Sequence, residues 1–238
     1  MKIDFSTIHI FNWDNLYYIE LENEVGVEAF KKLCDNQEAS LMATQQEFKQ
    51  LVRGEMDKLH PDDQGSYYMQ IFERDEMIIR EILRQQRYAL CLSIFSFFEG
   101  RLKALCTVIE NKFNFKLKVE DLNGNEDLLR YWNYLAKVFE VEVGPLEKYY
   151  TPIRNQKIVR NLIAHQNGIP RPEQVKKINI VRGIALKASG EVHQIIIHDP
   201  IYILDLLDRM ELFLKELLLA VDGRAAQINK SSEKKPAN

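Results

Sequence analysis

The sequence predicts a mainly α protein: an up-down bundle of four to five long helices, with a small β-hairpin inserted before the last. Three observations carry this. Apolar residues recur at three- and four-residue spacing through most of the 238 residues. One block, Cys91 to Phe98 (CLSIFSFF), is apolar almost all round and reads as the middle of a central helix surrounded by partners. Only between Ile178 and Ile197 does the pattern turn β-branched, on both sides of Ala188-Ser189-Gly190, which is the signature of a hairpin.

Composition bounds the function. With 46% hydrophobic and 28% charged residues the chain is an ordinary globular protein, one large domain or one domain with an appendage. No run approaches 18 uninterrupted apolar residues, and the N-terminus lacks the basic-then-apolar pattern of a signal peptide. No membrane partner and a cytoplasmic location are therefore expected. Cys34, Cys91 and Cys106 are widely spaced and form no CxxC unit, so buried free thiols in a reducing compartment are expected. A net charge of -3 argues against a protein that coats nucleic acid indiscriminately. Any nucleic-acid contact must be local.

Residues 1–65 read as an N-terminal extension: an aromatic-rich segment with some alternation from Lys2 to Phe11, then helix from about Asn23 to Leu59, loosened around Asp35 to Ser40. His60-Pro61-Asp62-Asp63-Gln64-Gly65 is a break, because proline and glycine bracket two carboxylates. A long helix is expected from about Ser66 to Lys112, a turn at Leu122-Asn123-Gly124-Asn125, and a shorter amphipathic helix from Asp127 to Glu140 ended by Gly144-Pro145. The next helix runs from about Leu146 to Asn167-Gly168, with Gly168 as the left-handed cap. After the hairpin, Asp199 at the N-cap and Pro200 at the first helical position open a last helix that Gly223 ends. The bundle then spans 66–222, and 223–238 reads as a polar, disordered tail.

The densest chemistry lies at the end of the penultimate long helix, in Arg160-Asn161-Leu162-Ile163-Ala164-His165. An arginine near a helix end often just meets carbonyls or an acidic neighbour, and a histidine there often serves the helix dipole. From Leu146 to Arg182, however, the basic residues Lys148, Arg154, Lys157, Arg160, Arg171, Lys176, Lys177 and Arg182 face only Glu147 and Glu173. That local excess is an electrostatic candidate for an RNA footprint, with Arg154 and Lys157 as phosphate contacts. A solvated basic face is the bland alternative. Glu99 is a carboxylate in the apolar middle of the central helix. It can orient Arg160 or His165, or form a structural salt bridge with Arg101 or Arg154. His193 and His198 have no further ligands at suitable spacing, so no metal site is expected, and no phosphate-binding glycine loop is present.

The order of elements, with Phe-Phe-Glu-Gly-Arg-Leu on a long helix, a short helix, one ending in RNLIAH-QNG and a final amphipathic helix, resembles the HEPN superfamily over roughly residues 66–222. The resemblance implies a metal-independent endoribonuclease built on Arg160, Asn161 and His165, with no cofactor. The side chains suit that chemistry. A 2'-hydroxyl attacks the adjacent phosphorus, His165 moves protons, Arg160 holds phosphorane oxygens and Asn161 orients the phosphate or the hydroxyl. The expected products are 2',3'-cyclic phosphate and 5'-hydroxyl ends. Five residues along a helix place Arg160 and His165 about 140° apart, so one straight helix cannot aim both at one atom. A frayed helix end is one escape. The other, which the resemblance implies, is a homodimer through the motif-bearing helices. The expected role is a prokaryotic toxin or phage-defence effector acting on RNA, with an antitoxin or regulatory protein as a further partner. The alternative is a catalytically silent module that binds RNA, nucleotide or a partner protein.

Overall fold

A computed structural model describes residues 9–123, 126–189 and 192–233. The chain is mainly helical, with one antiparallel hairpin directly before the final helix. Seven α-helices occur among the described residues: α1 (Asn15–Met56), α2 (Pro61–Ile71), α3 (Glu73–Phe113), α4 (Asp127–Lys137), α5 (Glu147–Gln166), α6 (Pro172–Ile178) and α7 (Ile201–Glu233). Short 3₁₀ turns lie at Val119–Asp121 and Gly144–Leu146. None of the described helices is long and apolar enough to cross a membrane.

Several sequence expectations change here. α1 runs unbroken through Asp35–Ser40, because Cys34 and Leu41 are buried seven residues apart on one face and the polar residues between them lie mostly outside. The long second helix is present but starts at Pro61 and steps at Phe72, a buried ring between α2 and α3. The middle of α3 is not enclosed all round: Cys91, Ile94, Phe95 and Phe98 are buried, while Ser93 and Ser96 are exposed. α4 stops at Lys137, well before Gly144-Pro145, where Glu140 turns left-handed at φ 59°. The last helix passes through Gly223 to Glu233, so residues 223–233 are helix rather than tail. Gly223 is exposed and costs only its propensity, while Arg224 beyond it donates to the Phe139 carbonyl at 3.0 Å and Ala225 is buried. Residues 234–238, and the expected alternation before residue 9, lie outside the described residues. So do Gly124 and Asn125 of the expected turn, and Gly190.

The described residues form two compact units that interleave in sequence rather than dividing at residue 65. The first comprises 9–28, 95–156 and 207–233; the second comprises 29–94 and 157–206. In the first unit α3 supplies Phe98, Leu102, Leu105 and Ile109, α4 supplies Leu128, Trp132 and Leu135, and α7 supplies Met210, Phe213, Leu217 and Val221 to the core. Trp132 stacks on Tyr150 with ring centroids 4.1 Å apart and planes 3° from parallel, and both rings touch Phe213. Asp222 is 2% exposed and accepts from the Asn12 and Trp13 backbone N–H groups at 3.1 and 3.0 Å, fixing the entry to α1.

In the second unit the buried residues are Cys34 and Leu41, Tyr88, Leu90, Cys91 and Ile94, Val159, Leu162 and Ile163, and Tyr202, Ile203 and Leu206. The hairpin, β1 (Ile184–Ser189) and β2 (Val192–Ile197), pairs Ile184 with Ile197 and Leu186 with Ile195. Ile184, Ile195 and Ile197 are buried and Lys187 and His193 exposed, which is the alternation of a strand pair with one covered face. Asp199 Oδ1 accepts from the Ile201 N–H at 2.8 Å, so the expected cap of the last helix forms.

Candidate functional site

α5 stays helical through Gln166, so the frayed end that would swing Arg160 towards His165 does not occur. Within the second unit its residues Val159, Leu162 and Ile163 are buried, Arg160 and Asn161 half-buried, and His165 exposed. Arg160 Nη1 donates to Asn161 Oδ1 at 3.1 Å, while its Nε is buried without a hydrogen-bond partner. Burial pushes the Cys91 thiol up to about 12, and the Tyr202 hydroxyl and the Arg160 charge pull the other way. Arg160 therefore leans towards the unit's core and His165 towards solvent, as an unbroken helix requires. No hydrogen bond joins them.

The stop after His165 is built more firmly than its sequence suggests. Asn167, at φ 48°, is the first left-handed residue, and Gly168 follows at φ 75°. The cap is thus Asn167, with Gly168 one step later donating to the Leu162 carbonyl six residues back at 2.9 Å, which closes the end of the helix. Two elements hold this turn. Gln194 Nε2 donates to the Asn167 carbonyl at 2.8 Å, and the Ile195 N–H to the Gly168 carbonyl at 2.8 Å. From α3, Arg84 reaches Asn167 Oδ1 at 3.4 Å and the Tyr88 hydroxyl donates to the Ile195 carbonyl at 2.5 Å. A Cβ at Gly168 would stand 2.2 Å from the Tyr88 hydroxyl oxygen. One turn further along α3, Arg87 forks onto Glu38 at 2.8 and 2.6 Å and donates to the Ile197 carbonyl at 2.7 Å.

Arg84, Arg87 and Tyr88 fasten the hairpin and the α5 stop, and Cys91, 3.9 Å from the Tyr202 hydroxyl, continues the same helical stripe. Sequence reasoning missed it. The signal was there as i, i+3, i+4, i+7 spacing leading into the apolar block, but the stripe is polar and its partners lie tens of residues away.

The remaining sequence candidates separate. Lys157 is 9% exposed, so little of it faces solvent. Arg154 is exposed and available. Glu99 is half-buried on the part of α3 that belongs to the first unit, and Arg101 is engaged elsewhere, with Asn23 at 2.7 Å and Glu22 at 2.6 Å. Arg171, Lys176 and Lys177 are exposed on and before α6, a helix absent from the sequence reading, and Arg182 lies 3.6 Å from Asp205. Among the described residues no three His, Cys, Asp or Glu side chains stand together in a way that could hold a metal ion.

No protein-family model, curated protein or solved structure matches this chain.

Proposed function

We propose that the chain is a HEPN-type, metal-independent endoribonuclease that cleaves RNA to 2',3'-cyclic phosphate and 5'-hydroxyl ends, acting as a prokaryotic toxin or phage-defence effector in the cytoplasm. The observation that carries this reading is the setting of His165. It is exposed on the last turn of an unbroken helix, two residues before a stop that three hydrogen bonds fasten to α3 and β2. A side chain on such a support keeps its position, which proton transfer in a transition state needs. Arg160 and Asn161, already paired one turn earlier, supply phosphate-binding donors.

Because Arg160 and His165 face different sides of α5, the reacting phosphate is shared between two copies whose motif-bearing helices meet. An antitoxin or regulatory protein would restrain the pair. The half-buried Arg160, with its Nε committed to the interior, favours a second reading: a catalytically silent module that binds RNA, nucleotide or a partner protein.

The test is cleavage of single-stranded RNA in EDTA by wild type, His165→Ala and Arg160→Ala, with product ends identified chemically. Removal of a proton-transferring side chain should slow cleavage by about 10²-fold or more. Intact RNA with wild type, or equal cutting by all three chains, would remove the nuclease reading and leave the binding module.

A further inference from the structure

The N-terminal part of α3, inside the second unit, carries an apolar face that the unit's own packing leaves open. Met77 is 63% exposed, Ile78 45% and Ile82 43%, preceded by Met69 at 66% and Ile71 at 50%. Phe72, between α2 and α3, keeps a right-handed helical conformation and its carbonyl accepts from the Glu76 N–H at 3.0 Å, so these residues lie on successive turns. Single exposed apolar side chains are ordinary on a protein surface, but Met69, Met77 and Ile78 line one concavity and so mark a contact face. Met69, Glu73, Arg74, Met77, Ile78 and Glu81 line a shallow concavity of ≈ 470 Å³ at its centre.

The charges around this centre are arranged with opposite signs. Arg74 and Glu81 are seven residues apart, which places them on one helix face about 10 Å from each other along the axis, on either side of Met77-Ile78. We propose that this face docks a second copy of the chain, with the two α3 helices antiparallel about a two-fold axis at Met77-Ile78. In that arrangement Arg74 meets the partner's Glu81 and Glu81 meets the partner's Arg74, so two ion pairs bracket the apolar centre. A parallel arrangement would set arginine against arginine and glutamate against glutamate. Opposite charges equidistant from an apolar midpoint are what a self-complementary surface requires. Glu81 already accepts from Arg84 and Gln85, so the incoming guanidinium joins a carboxylate that is held in place.

This pairing does not rest on the ribonuclease reading. Arg84 nevertheless links the patch to Asn167, so the contact adjoins the turn that follows His165.

Sedimentation equilibrium of the full chain tests the pairing, with far-UV circular dichroism confirming that each variant folds; all the positions changed are exposed. Wild type should be a dimer, and Met77→Asp a monomer. Arg74→Glu and Glu81→Arg should each weaken association by about tenfold or more, and the double variant Arg74→Glu/Glu81→Arg should recover it, because the swap restores both ion pairs. A monomer at roughly 100 µM, a dimer indifferent to Met77→Asp, or a double variant no tighter than the singles would overturn the proposal. A dimer that obeys the charge swap yet leaves RNA intact would remove the functional reading alone.

Discussion

In the first unit Trp132 lies flat on Tyr150, Phe98 and Trp132 meet Phe213, and Phe113 meets Phe139: the core is a run of rings in contact. In the second unit the interior is crossed by directed bonds instead. Arg87 is held between Glu38 and the Ile197 carbonyl, and Tyr88 reaches the Ile195 carbonyl. Ring packing is tolerant of small shifts and rewards total buried area. Buried hydrogen bonds fix angles and distances and penalise any partner left alone. The candidate motif Arg160, Asn161 and His165 stands in the second kind of environment. The region where position matters is therefore the region tied by geometry rather than by area.

Two substitutions probe this difference. Trp132→Ala should lower stability by about 3–5 kcal/mol through lost burial and the cavity left behind. Arg87→Ala should lower stability too, for another reason, since it leaves the half-buried Glu38 carboxylate without its counter-charge. Only the second loss can be undone by removing more: Glu38→Leu with Arg87→Met should return most of the stability, measured by urea unfolding. If the double change is as unstable as Arg87→Ala alone, the ion pair is not the tie described.

Glycines give a smaller, sharper contrast. Gly168→Ala forces a left-handed alanine against Tyr88 and should cost about 1–3 kcal/mol. Gly223→Ala, in open space on an ordinary helical backbone, should add up to about 1 kcal/mol. Melting temperatures that move the same way for both would contradict the geometry of the α5 stop.

A further effect is confined to alkali. Burial raises the Cys91 thiol to about 12 in the folded chain, against an ordinary thiol value near 8.5 in the unfolded one. The unfolded chain therefore releases that proton first. The stability contributed is complete below about pH 8.5 and is lost as pH rises towards 12. Urea midpoints should fall across that range, and less steeply for Cys91→Val.

Much of the fold could be read from residues alone. The hairpin, the Asp199 cap and the end of α5 all announce themselves through local chemistry that acts within a few positions. The misreadings share a cause. Polar Asp35–Ser40 looked like a break because its exposed side outnumbers Cys34 and Leu41, and Gly223 looked like a stop because nothing local shows that Arg224 will be held by Phe139. α6 has only seven residues, too few for periodicity to register. At the site, the motif was visible as a pattern, yet the burial of Lys157 and the inward lean of Arg160 depend on which face of α5 packs. The fastening by Arg84, Arg87 and Tyr88 depends on partners up to 110 residues distant. Spacing along one chain does not encode such meetings.

Asp222 has a consequence for the order of events at the ribosome. It anchors Asn12 and Trp13, residues that leave the exit tunnel some 210 positions earlier. Both interleaved units likewise await segments beyond residue 156. A nascent chain must therefore keep its first helix in waiting until residue 222 has been added. Truncation before residue 222 should leave α1 without its anchor however much of the sequence has been made.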